Sequence, residues 1–107
     1  MEKIVIADTR CIILFENIGA LNLLKKLFNE ILITKEVATE YGMELPDWIK
    51  IKSPSEKIFQ EISKMNLDKG EASAIALALD IENSILIIDD LKGRKIVEKL
   101  GLNFIGS

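Results

Sequence analysis

Apolar residues fall along this chain in two rhythms. Short runs such as Ile4-Val5-Ile6-Ala7, Ile31-Leu32-Ile33 and Ile85-Leu86-Ile87-Ile88 are rich in β-branched side chains and bounded by polar ones. Runs of this kind predict buried parallel strands. Strands are expected over residues 3–8, 31–33, Ile49–Ile51, 85–88 and 103–105. Between them the apolar spacing turns helical. Helices are expected over 11–16 and 21–28, with Gly19 as the break, and over Lys35–Tyr41, capped by Thr34 and ended by Gly42. Further helices are expected from Pro54 and Ser55 to about Met65, over 70–80, and over 91–100, while Pro46-Asp47-Trp48 reads as loop. The 70–80 segment is apolar almost all round, so it belongs at the centre, covered on several sides.

Strands alternating with helices argue for an α/β domain with a mostly parallel sheet. Right-handed crossovers leave few topologies. No repeat, low-complexity stretch or linker divides the chain, so residues 1–107 are expected to form a single domain.

Acids punctuate this pattern. Asp8 closes the first strand, Asp89 and Asp90 close the fourth, Glu71 opens the central helix, and Glu40 lies late in an earlier one. Sites in open α/β sheets lie beyond the carboxyl ends of the strands. Two carboxylates ~5 Å apart repel by about 3 kcal/mol at an effective dielectric of ~20. A cluster of them therefore calls for protons or a cation. An oxygen-only donor set suits Mg²⁺ or Mn²⁺ rather than zinc or copper. Each acid also has a simpler role open to it. Asp8 and Asp90 suit helix caps, Asp68 with Glu71 resembles a capping box, and Glu40 sits where an exposed helical residue would.

Composition narrows the chemistry. Histidine is absent, which excludes Ser-His-Asp and Cys-His nucleophile pairs and imidazole zinc sites. The net charge of −3 does not mark a typical nucleic-acid binder, although a bound cation reverses the local sign. The single cysteine, Cys11, makes no internal disulfide and fits a reducing compartment. No segment reaches the ~18 apolar residues of a membrane span. The N-terminus lacks a signal-peptide core, and a cytoplasmic location is expected.

Four ordered segments resemble the PIN-domain nucleases, best known as VapC-type toxin ribonucleases. They are Ile4-Val5-Ile6-Ala7-Asp8-Thr9, Val37-Ala38-Thr39-Glu40-Tyr41, the stretch from Gly70-Glu71-Ala72 to Ala78, and Asp89-Asp90-Leu91-Lys92-Gly93-Arg94. The resemblance implies a three-layer α/β/α fold with strand order 3-2-1-4-5 and Mg²⁺- or Mn²⁺-dependent RNA cleavage. It implies a cognate antitoxin protein and a homodimer. It matches Asp8, Glu40, Glu71 and Asp90 to the catalytic and metal-holding acids, with Asp89 assisting or bridging through water. Thr9, Arg10 and Arg94 are the candidate substrate contacts.

Two features depart from the family pattern. Arg10 stands two residues after the first acid, where the family usually has Ser, Thr or Asn. Its guanidinium either pairs with the carboxylates in place of a cation, grips a substrate phosphate, or points to solvent. If it blocks the site, Arg10→Ser raises metal affinity. The chain also stops soon after strand five, where relatives continue with helices, so exposed apolar surface and a protein partner are expected. Both features fit a rival reading, a PIN-like module that binds protein or RNA without cleaving. Lys92, Arg94, Lys95 and Lys99 follow the fourth strand as RNA contacts or as a solvated face, and Tyr41 and Trp48 are expected to pack against the core. Other acid-bearing α/β families fit less well. Asp8-Thr9-Arg10 is not the Asp-x-Asp of haloacid-dehalogenase phosphatases. The acid pair follows strand four rather than strand one, unlike a receiver domain, and no glycine-rich turn follows strand one.

Overall fold

The computed structural model describes residues 4–28, 30–88, 91–102 and 104–106, with backbone alone for 91–94, 105 and 106. In chain order the elements are β1 (Ile4–Ala7), α1 (Thr9–Asn17), α2 (Leu21–Leu27), β2 (Glu30–Ile33), α3 (Lys35–Tyr41) and β3 (Ile49–Ile51). Then come α4 (Glu56–Ser63), α5 (Lys69–Asp80), β4 (Ser84–Ile88), α6 (Leu91–Lys99) and β5 (Phe104–Gly106). Every strand pairing is parallel, and the order is β3-β2-β1-β4-β5, as the resemblance implied.

The side-chain alternation of a strand divides the core in two. Val5 and Ala7 of β1, Ile31 and Ile33 of β2, and Ile87 of β4 face one layer, formed by α1, α2 and α3. Ile6, Leu32, Leu86 and Ile88 face the other, formed by α4, α5 and α6. Both faces of the sheet are thus covered, which is why its strands read as unbroken apolar runs rather than alternating ones. α5 is the central helix of its layer, and residues 70–78 are all buried. Tyr41 belongs to the first core, and Trp48 packs against it half-buried.

Element ends differ from the sequence pattern where polar side chains set them. α1 starts at Thr9 rather than at residue 11, because Asp8 is its N-cap and accepts a hydrogen bond from the Cys11 amide at 3.0 Å. α4 is shorter than expected, because the Ser55 hydroxyl caps it and its last turn gives way to Asn66 at φ +56°. α3 ends as predicted at Gly42, whose φ of +68° favours a residue without a Cβ. Lys3 and Asn103, expected strand residues, lie outside the described residues.

The chain leaves β1 toward β2 and β3 on one side, and β4 and β5 lie on the other. The switch between β1 and β4 opens a crevice at the carboxyl edge, the general ligand position of open α/β sheets. No described helix is long and apolar enough to cross a membrane.

Candidate active site

A cleft of about 310 Å³ lies at this edge, lined by Asp8, Thr9, Arg10, Glu40, Asp68 and Glu71. Three segments far apart in sequence supply its walls.

Asp8 enters from the end of β1. It is 2% exposed, and its carboxylate caps α1. The capping role and the cleft position are therefore compatible, because one oxygen suffices for the amide.

Asp68 and Glu71 enter from the start of α5. The Asp68 carboxylate accepts a hydrogen bond from the Glu71 amide at 2.8 Å and so caps the helix. Glu71 sits on the cleft wall at 6% exposure, packed between buried Gly70 and Ala72. Acidic groups at a helix N-terminus face the favourable end of its dipole, which offsets part of the cost of burying charge there.

Glu40 enters from the last turn of α3. Its backbone position is exposed, so nothing in the core fixes its side chain. Two contacts do. The Thr9 hydroxyl donates to Glu40 Oε1 at 2.7 Å. The Glu40 carboxylate also lies directly over the Gly70 Cα, where a Cβ would run into it and come within 2.8 Å of Cδ. Gly70 thus leaves the cradle into which the carboxylate fits. Sequence reasoning assigned Thr9 to substrate; in the structure its hydroxyl holds an acid.

A buried relay sets the distance between the helices that carry these acids. The Ser73 hydroxyl donates to the Gly70 carbonyl at 2.8 Å. With that proton committed, Ser73 Oγ accepts from the Thr34 hydroxyl at 2.6 Å. Thr34 Oγ1 in turn accepts from the Val37 amide at 3.1 Å and caps α3. The start of α3 and the first turn of α5 are thereby joined inside the protein, each polar atom satisfied by the next.

Arg10 lines the cleft but is exposed, and among the described residues it forms no ion pair with the carboxylates. Among the described residues, the bidentate pairing that would displace a cation is absent. Asp89 and Asp90 lie outside the described residues, as do the side chains of Lys92 and Arg94. Lys95 and Lys99 of α6 are exposed. The structure therefore brings Asp8, Glu40 and Glu71 of the expected quartet to one cleft and adds Asp68. Sequence reasoning saw Asp68 only as a cap and passed over Gly70. The available signal was a glycine inside the first turn of a helix, which costs roughly 1 kcal/mol of propensity unless its missing side chain is needed.

Among the described residues, no three Asp, Glu, Cys or His side chains converge on a single ion position. That is no bar to Mg²⁺ or Mn²⁺. Mg²⁺ keeps several waters and is commonly held through one or two carboxylates. The all-oxygen donors, two of them buried, and the cradle that fixes a third fit such an ion.

The family model described as PIN domain matches residues 4–107. No curated protein matches the chain.

Proposed function

This chain belongs to the PIN-domain family, and on that basis we propose that it is a Mg²⁺- or Mn²⁺-dependent endoribonuclease, the toxin of a toxin–antitoxin pair. PIN domains share a nuclease-type fold, generally depend on a divalent metal and generally bind nucleic acid. The observation that carries the reading is the cleft at the carboxyl edge, where Asp8, Glu40, Asp68 and Glu71 meet.

Asp8, Glu40, Glu71 and, by its place in the sequence, Asp90 are the proposed ligands. Held by these acids, a divalent ion would supply Lewis-acid polarisation of a phosphodiester and activation of the attacking water. The chain's own groups do the rest. Asp8 and Glu71 present their carboxyl groups from a strand end and a helix start, and burial keeps them from swinging away. Thr9 and Gly70, the chain neighbours of those two acids, fix the Glu40 carboxylate beside them. Arg10, exposed at the mouth, is placed to meet the phosphate of an incoming strand. Asp89 assists through water, and Arg94 contacts substrate.

A homodimer and an antitoxin partner belong to the same proposal. Ile13, Leu14, Ile18, Leu23 and Leu27 are exposed around α1 and α2, and a protein surface there would shield them from water.

The test is Mn²⁺ titration by calorimetry with Asp90→Asn as control, followed by cleavage of labelled RNA with and without EDTA. Saturable binding lost in the variant, with metal-dependent cleavage, is the expected result. A folded chain that binds RNA equally well in EDTA and cuts none of it is instead the non-cleaving module. For the toxin role, induction in a bacterial host should arrest growth, and Glu71→Gln should relieve the arrest.

A further inference from the structure

A second recess of about 290 Å³ adjoins the acidic cleft, lined by Lys35, Glu36, Thr39, Glu40 and Lys69. Glu40 belongs to the walls of both, so the two meet across one side chain. Lys35 and Lys69 are exposed, and among the described residues neither forms an ion pair; the one pair there is Lys64–Glu61. Each is the first residue of its helix, α3 and α5. A cation at that position opposes the helix dipole. Local stability therefore accounts for neither lysine. Glu36 suits the dipole of α3, and Glu40 is already engaged by Thr9. Two ammonium groups, which can only donate, and the Thr39 hydroxyl, which can donate, thus line a recess shared with Glu36 and Glu40 next to the acidic cleft.

Resting on the nuclease reading of the cleft, we infer that Lys35 and Lys69 grip the backbone phosphate next to the one that is cut, so that an RNA strand crosses Glu40 from the acidic cleft into the lysine recess. Lysines suit this role because they hold phosphate as point charges without reading sequence. The sequence pattern offers Arg10 for phosphate, and the α6 residues Lys92, Arg94, Lys95 and Lys99 either for phosphate or as a solvated face, but neither Lys35 nor Lys69. The recess gives strand binding a direction, from Asp8 and Glu71 toward the starts of α3 and α5.

The experiment is steady-state cleavage of a labelled single-stranded RNA decamer in Mn²⁺, at several KCl concentrations. Lys35→Gln/Lys69→Gln should raise KM about tenfold with kcat within about twofold. The dependence of log(1/KM) on log salt should become shallower by about 0.7, the value for one phosphate contact of a single strand. Lys52→Gln/Lys57→Gln removes the same charge from exposed positions outside the recess and should change neither. Lys35→Arg/Lys69→Arg should restore KM, which separates lost grip from a damaged fold. An unchanged KM and slope in the first variant, or an equal loss in the control, overturns the lysine assignment while leaving the nuclease reading intact. If the parent chain itself cuts no RNA, the nuclease reading falls and takes this inference with it.

Discussion

The two walls of the cleft are built differently. Asp8 and Glu71 are almost wholly buried and are delivered by the backbone, one by a strand end and one by a helix start. Glu40 and Asp68 are exposed. Glu40 is held only by what it touches, a threonine hydroxyl and the bare Cα of a glycine. Asp68 is held by the amide it caps. One wall is therefore set by the backbone and costly to ionise, because burial disfavours the charged form of a carboxyl group. The other is adjustable and inexpensive to alter. Substitutions on the first wall should remove function outright. Substitutions behind the second should degrade it while sparing the fold.

The largest effect is expected from Glu71→Gln. Metal at 100 times its Kd stabilises the native state by about 2.7 kcal/mol, which raises Tm by roughly 10 °C or more in a domain of this size. The variant should lose that rise, and its cleavage rate should fall by at least about a hundredfold. Differential scanning fluorimetry with and without Mn²⁺ reads the first effect. A shift equal to that of the parent chain would remove Glu71 from the proposed ligand set.

Gly70→Ala should come next, and it separates the walls most cleanly. Alanine is the better helix former by up to about 1 kcal/mol, and the atom it meets ends a flexible side chain. Stability without metal should therefore hold or rise. Displacing the Glu40 carboxylate should weaken Mn²⁺ about tenfold. Calorimetry showing parent-like affinity would mean that Glu40 is no ligand in the position it occupies.

Thr9→Val deletes the other support of Glu40. A hydrogen bond worth about 1 kcal/mol corresponds to a roughly fivefold loss of metal affinity, and Thr9→Ser should recover it. If valine and threonine bind Mn²⁺ alike, the adjustable wall is held by Gly70 alone.

Arg10→Ser should have the smallest effect on the metal. Arg10 is exposed and forms no ion pair with the described carboxylates, so Mn²⁺ affinity should change by less than about twofold. The blocking role considered from the sequence predicts a clear rise in affinity instead. The same titration distinguishes the two.

The α/β class and most of the elements were legible in the chain itself, whereas the strand order came only from the family resemblance. Period and run length are local properties, and burial on both faces leaves a local mark in Ile4-Val5-Ile6-Ala7 and Ile85-Leu86-Ile87-Ile88. Asp8 was legible for the same reason, since it closes the first of those runs, and Glu71 because it opens the helical stretch 70–80. Element ends were less so, because Asp8 and Ser55 set them through single side-chain hydrogen bonds to nearby amides. Asp89 and Asp90 were read from sequence alone and lie outside the described residues.

What only the tertiary structure decided is which distant residues serve one another. Thr9 and Glu40 are 31 positions apart, and Thr34 and Ser73 are 39 apart. Nothing in either local pattern says that a hydroxyl on α1 will hold a carboxylate on α3, or that Gly70 lacks a side chain because Glu40 needs the space. Nor does it say that Lys35 and Lys69 face one recess. Hydrophobic periodicity is fixed by each segment's own partition between water and core. The meeting of polar side chains depends on crossovers that bring segments together only once the sheet has formed.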